Sequence, residues 1–202
     1  VCGMIIISRQ LTFMQNKELG FDVGAKLIIP MRTSEARSQY DALKDELKQY
    51  SQVKEVSGAE YVPGSYIWND MMYYKDGGNM DNAVIHRRNM IDVGYMEMLG
   101  IKLIAGRYFT DNRKAESEGK LIINQAAAKK FGIEPEKIVG QRLYFDWQNQ
   151  HYAFEVIGVM ADYHQTTLKE AINPTLFELA PTTERLDNLV ISIEGSEIEA
   201  TI

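Results

Sequence analysis

The two residues best placed to do chemistry are Asp162 and His164, which are two positions apart in the chain. On a strand, such a spacing puts the carboxylate and the imidazole on one face, where they could begin a metal site or the site of a hydrolase. No second pair of metal ligands follows at a suitable spacing. The sequence therefore favours the simpler interpretation, in which both side chains line a polar loop and bond to the backbone.

Other signatures of catalysis are missing from the sequence. Cys2 is the single cysteine, so it cannot form an internal disulfide, and as a nucleophile it would need a base that the sequence does not place. The chain contains no phosphate-binding G-x-x-x-x-G-K-[ST] loop, no G-x-G-x-x-G and no G-x-S-x-G. We therefore predict no catalytic residue, no cofactor and no metal site.

A cluster of aromatic residues and methionines is the strongest candidate for a binding surface. We define the aromatic–methionine block as Tyr66, Trp68, Met71, Met72 and Tyr73. Such side chains in a loop can form an adaptable surface for a protein or an apolar ligand. The alternative is that residues 71–74 form a core strand that Trp68 covers, and the sequence favours this second interpretation.

The chain's length and charge limit its class. Its 202 residues suffice for one large domain or two small ones, and its net charge of -6 disfavours binding to nucleic acid. No apolar run reaches the ~20 residues of a membrane span. The apolar start of the chain, residues 1–7, is either a core strand or the end of a truncated membrane helix with Arg9 at the interface, and we favour the helix. Residues 195–202 resemble the first turn of another helix, so both ends are typical of a fragment.

Periodicity predicts the elements that position these residues. Strands are expected at residues 25–31 and 53–62, with one helix between them at residues 33–50. Two hairpins are expected, one around residues 76–79 and the other around residues 147–150. Asn124 should cap a helix that ends at Gly132. Other expected elements are a helix at residues 11–16, a short helix at residues 94–99, and an exposed loop at residues 111–119.

Several separated motifs resemble the periplasmic core domain of MacB/FtsX-like ABC transporter permeases. Each is weak alone, but the ordered set covers most of the chain. The matching segments are residues 10–22 (QLTFMQNKELGFD), 62–64 (VPG), 92–101 (DVGYMEMLGI), 106–109 (GRYF), 122–127 (IINQAA), 139–140 (VG) and 157–174 (IGVMADYHQTTLKEAINP). Their glycines suit structural roles, since Gly106 and Gly140 are expected where a side chain would be crowded.

The resemblance implies an α+β fold with two lobes. A porter-like α/β sandwich lobe would comprise residues 25–80 and 182–202, and a mixed β/α lobe, residues 81–181, would be inserted into it. Residues 1–24 would be a membrane-proximal stub and linker. The missing parts would be transmembrane helices.

The resemblance also implies a function without catalysis. The domain would face the periplasm from the inner membrane, relay ATP-driven motion, and dock partners or cargo in efflux or lipoprotein release. Its partners would be an ABC ATPase subunit reached through the transmembrane part, a second permease copy, and a periplasmic adaptor or a cell-wall or lipoprotein partner. Two rival hypotheses remain: a free-standing periplasmic module that binds a peptide or lipid, and a hydrolase at Asp162 and His164.

Overall fold

The structure, a computed structural model, describes residues 20–21 and 25–194. Cys2, the apolar run at residues 1–7, the helix expected at residues 11–16 and the turn expected from residue 195 lie outside these residues. Within them, no helix is both long enough and apolar enough to cross a bilayer.

The described residues form an α+β fold, the class that the family resemblance implies, with six helices and ten strands. The strands are β1 Lys26–Pro30, β2 Val53–Ala59, β3 Asp70–Lys75, β4 Val84–Ile91, β5 Leu103–Gly106, β6 Lys120–Asn124, β7 Arg142–Trp147, β8 Gln150–Met160, β9 Thr175–Leu179 and β10 Asn188–Ile193. The helices are α1 Ser34–Ser38, α2 Tyr40–Leu47, α3 Tyr95–Met98, α4 Arg113–Ser117, α5 Gln125–Phe131 and α6 Pro135–Ile138. Short 3₁₀ turns lie at Met80–Asn82 and Thr183–Arg185.

Three antiparallel strands, in the order β1-β10-β2, form one end of the sheet. Tyr40 and the half-buried Leu43 and Leu47 of α2 pack on the buried side chains of these strands. β1 is an edge strand among the described residues, which suits Pro30 because proline has no N–H to donate to a further strand.

The helix expected at residues 33–50 is two helices, so that prediction is wrong in detail. Gln39 separates α1 from α2 with a backbone at φ -90° and ψ 1°. Thr33 caps α1, while the Arg37 side chain bonds to the Met31 carbonyl and to Asp187. These contacts hold α1 against the end of β1, so tertiary contacts override the continuous helical periodicity.

Six strands close into a ring, in the order β4-β3-β7-β8-β6-β9 and back to β4. Four neighbouring pairs are antiparallel, and the β8–β6 and β9–β4 pairs are parallel. Their inward side chains share one core with α5, which contributes Ala127, Ala128 and Phe131. β3 pairs with β4 and β7 and so belongs to this ring. The predicted boundary at residue 80 instead assigns β3 to the porter-like lobe.

Local signals predict the hairpins and the helix ends well. β3–β4 and β7–β8 are antiparallel pairs joined at the expected turns, and α3 lies within the expected residues 94–99. The Asn124 side chain accepts a hydrogen bond from the Ala127 N–H at 2.9 Å, and Gly132 ends α5 at φ 71°. The loop expected at residues 111–119 contains α4 instead, because buried Glu116 bonds to Arg107 and Thr110.

A buried carboxylate lies where the three-stranded end meets the ring. Here β2 and β4 pair at one position, Ala59 with Ile91. Asp92, the next residue, accepts hydrogen bonds from the Tyr40 hydroxyl at 2.9 Å and from the Lys44 amine at 2.7 Å, and it also binds Arg113 of α4. Asp92 thus ties α2 and α4 to the end of β4.

Candidate partner surface

The aromatic–methionine block starts in the loop between β2 and β3. Trp68 is 77% exposed, and its ring lies 4.5 Å from the ring of Tyr66, measured between centroids. The Arg87 guanidinium lies 4.7 Å from the centre of the Tyr66 ring and bonds to the Tyr66 hydroxyl and to Asp70. Cation–π contact and charged hydrogen bonds therefore hold Tyr66 in place under the exposed Trp68.

The remaining members of the block lie on β3, where alternation separates them. Met72 points outward and is 40% exposed, whereas Met71 is half-buried against the core of the ring. Tyr73 is fully buried, and its hydroxyl donates to Glu178 at 3.1 Å. Burial raises the pKa of Tyr73, helped by the Glu178 charge. Tyr73 is therefore a core residue that cannot contact a partner.

A groove opens beside Met72, where β3 and β7 part. We define the β3–β7 groove by the residues Asp70, Met71, Met72, Met80, Phe145, Asp146 and Trp147, which enclose a volume of about 390 Å³. Trp147 is 63% exposed and starts the two-residue turn of the β7–β8 hairpin. Sequence reasoning places Trp147 in a turn and does not connect it with Met72, which lies 75 positions earlier.

A polar cluster stands at the edge of the groove. Asp146 accepts a hydrogen bond from the Tyr74 hydroxyl at 3.0 Å, and its carboxylate lies 2.7 Å from Nδ1 of His151. The hydrogen bond from His151, with one from Tyr74, lowers the pKa of Asp146, so this carboxylate is ionised at neutral pH. The cluster links β3, β7 and β8 and keeps a negative charge on an exposed face.

Asp162, one of the two residues singled out by their spacing, lies beside the start of α5. The Asp162 carboxylate accepts a hydrogen bond from the Ala126 N–H at 2.9 Å, beside the Asn124 cap. Asp162 thus bonds to the backbone, as the simpler interpretation expects. Across residues 20–21 and 25–194, no group of three or more His, Cys, Asp or Glu side chains could hold a metal ion.

A larger and more open depression, of about 960 Å³, lies along α5. Its walls mix Lys129 and Lys130 with Glu134 and Asp162. Because its lining holds both basic and acidic groups, this depression presents no single charge to a ligand. The β3–β7 groove, with its apolar walls, is the better candidate for recognition.

Comparison with known proteins identifies relatives of this arrangement. The family model for the MacB-like periplasmic core domain matches residues 3–197. The crystal structure of the periplasmic region of MacB from Actinobacillus actinomycetemcomitans is similar, with a TM-score of 0.59 and 15% identity, over 91% of this chain and 81% of that one. The extracellular domain of the noncanonic ABC-type transporter YknZ from Gram-positive bacteria has a TM-score of 0.55 and 19% identity, over 88% of each chain. No curated protein matches the sequence.

Proposed function

From the premise that this chain belongs to the MacB-like periplasmic core domain family, and so is the periplasmic or extracellular domain of an ABC transporter permease, we propose that it relays ATP-driven motion and docks partners without catalysing a reaction. The observation that carries this proposal is the family match across residues 3–197. The closed ring of strands and the Asp92 junction support it, because a relay must move as a unit and not deform.

We further propose the setting in which the domain acts. It would face the periplasm from the inner membrane, working with an ABC ATPase subunit through the transmembrane part of a permease dimer. The exposed Trp68, the half-buried Tyr66 beside it and the β3–β7 groove would meet a periplasmic adaptor or a cell-wall or lipoprotein partner. The family match favours this setting over a free-standing peptide- or lipid-binding module, and the described residues around Asp162 give a hydrolase no support.

The relay is tested by measuring distances in the intact permease with its ATPase. Ser51 is exposed in the turn that follows α2 and is replaced by cysteine to carry a spin label. Cys2 is changed to serine, and any other cysteines of the full-length permease are removed. Electron paramagnetic resonance then gives the distance between the two labels of a permease dimer in nanodiscs. We expect the distance distribution to shift between the nucleotide-free and ATP-trapped states.

The matched control is a complex whose ATPase subunit cannot bind ATP. Its distance distribution should stay the same when nucleotide is added. If the wild-type complex also keeps one distribution in both nucleotide states, the domain does not follow the ATPase cycle, and the relay proposal is wrong.

A further inference from the structure

The β3–β7 groove is bounded by strands whose ladder stops part of the way along. β3 pairs with β4 from Asp70 to Tyr73, but it pairs with β7 only at Tyr74 and Lys75. β7 continues to Trp147, paired with β8 on its other side. Within the described part of the chain, the first four residues of β3 therefore have a strand on one side only. An extended chain can add to such an edge through main-chain hydrogen bonds.

The walls of the groove are apolar and adaptable. Three methionines, Met71, Met72 and Met80, line it together with Phe145 and Trp147. Methionine side chains are flexible and polarisable, so they fit apolar groups of different shapes. A volume of about 390 Å³ lies within the range of ligand sites and can accept the apolar side chains of a short segment.

The charged groups of the groove have one sign. Among the described residues, the charged side chains that line it are Asp70 and Asp146, with no lysine or arginine. Arg87 is already bound to Asp70. The partners of Asp146 are the uncharged Tyr74 hydroxyl and the His151 ring, which carries a charge only when protonated. A neutral ring leaves the charge of Asp146 available to attract a cation.

We propose that the β3–β7 groove binds an extended segment of a partner protein in which apolar and basic side chains alternate. The segment pairs with the open edge of β3, its apolar side chains enter between Met72 and Trp147, and a lysine or arginine lies beside Asp146. This inference rests on the proposed docking function, for which it names the site and the chemistry of the partner.

Fluorescence anisotropy tests the proposal with labelled peptides and the intact permease in phosphatidylcholine nanodiscs, with empty nanodiscs as the blank. The probe is a short peptide of alternating leucine and lysine, compared with one of alternating leucine and glutamate. We expect saturable binding of the lysine peptide and at least about tenfold weaker binding of the glutamate peptide. N-methylation of the lysine peptide along one backbone edge should also abolish binding, because it removes the donors that pair with β3.

Variants of the permease locate the binding site. Met72→Arg should weaken binding more than about tenfold, and Asp146→Asn about two- to fivefold. Ile85→Arg is the matched control, because Ile85 lies opposite Met72 on β4 and is 58% exposed but does not line the groove. It introduces the same charge and should leave the affinity unchanged.

Three results would overturn the proposal: equal affinity for the lysine and glutamate peptides, undiminished binding of the N-methylated peptide, or equal effects of Met72→Arg and Ile85→Arg. Binding is measured without ATP, whereas the relay is read from distances that change with nucleotide. Failure of the one is therefore distinguishable from failure of the other.

Discussion

His86 is a titratable side chain that water does not reach. It is 1% exposed, its Nδ1 lies 2.8 Å from the Val84 carbonyl oxygen, and its ring stacks on Phe131 with centroids 4.7 Å apart. Burial lowers the pKa of His86 from 6.5 to about 4. The neutral imidazole is thus part of the core, and protonation favours the unfolded chain.

We therefore predict that His86 makes the fold less stable in mild acid. Between pH 6.5 and pH 4 the unfolded state binds a proton that the folded state does not, so the free energy of unfolding falls as pH falls. From pH 7 to pH 4.5 this loss should be roughly 2 kcal/mol. Urea unfolding at both pH values measures it. His86→Phe, which keeps the stacking, should lose less stability over the same interval, and equal losses in both proteins would refute the prediction.

Residues on and beside β3 show which side-chain positions can be predicted from the sequence and which cannot. Alternation along a strand predicts that Met71 and Tyr73 share the inner face and that Met72 faces outward, as the structure has them. The cation–π contact that fixes Tyr66 is not predictable in this way. It depends on Arg87, which comes from a different strand and meets Tyr66 through the register of β3 and β4.

At the scale of elements, Gly106 and Gly140 show two different reasons for a glycine: a crowded site and a left-handed backbone. Gly106, at the end of β5, has φ 77°, and a Cβ there would lie 2.2 Å from the Ile157 carbonyl oxygen. Gly140, between α6 and β7, has φ 84°, but a Cβ at this position would meet nothing within 4 Å beyond its neighbours in the chain. The crowding expected at both positions holds at Gly106 alone, and Gly140 is explained by its backbone angle.

We predict that Gly106→Ala costs about 3 kcal/mol or more of folding stability, because the methyl group would push β5 away from β8. Gly140→Ala serves as the matched control and should cost about 1–2 kcal/mol, the strain of a left-handed backbone alone. Thermal unfolding of the two variants measures the difference. Equal losses of stability would mean that β5 can move aside.

Elements are predictable where their signals are local. The turn residues around positions 76–79 and 147–150 identify both hairpins, and Asn124 with Gly132 identifies the ends of α5. α4 escapes prediction because its sequence is polar and short. Its position depends on two side-chain contacts, Glu116 with Thr110 and Arg113 with Asp92. Helical periodicity does not predict such contacts.

At the scale of the whole molecule, Asp92 joins parts that are distant in sequence. Burial alone would raise its pKa, but Lys44 and Arg113 lower it overall, so the carboxylate is charged in the folded state. Removing one member of a buried charged cluster leaves the others without compensation. The stability of the junction between the three-stranded end and the ring should therefore depend on this residue.

We predict that Asp92→Ala lowers the free energy of unfolding by about 3–5 kcal/mol. Asp187→Ala, which removes the half-exposed partner of Arg37, should cost about 1 kcal/mol or less. Urea unfolding compares the two, and hydrogen exchange should show faster exchange in α2 and α4 of the Asp92 variant. A loss no larger than that of the Asp187 variant would show that the junction does not need the carboxylate.

The closed ring is beyond prediction from the sequence. Its closure depends on parallel pairing of β4 with β9, which brings Arg87 opposite Thr175, and no local pattern specifies a pairing over such a separation. The family resemblance predicts the α+β class correctly. The division into lobes at residues 80 and 181 stays a prediction, and the pairing of β3 within the ring favours a boundary before residue 70.

Among the described residues, the positions of the first and last strands bear on how the proposed relay would transmit a force. β1 and β10 are antiparallel neighbours, with Lys26 opposite Ser192, so the chain enters β1 and leaves β10 at the same end of the sheet. If the chain segments that enter β1 and leave β10 are pulled in the same direction, the two strands are not pulled apart. Holding the end of β10 and pulling the start of β1 away from it would instead separate the ladder one hydrogen bond at a time. In the proposed relay, this geometry favours motion in which both ends move together.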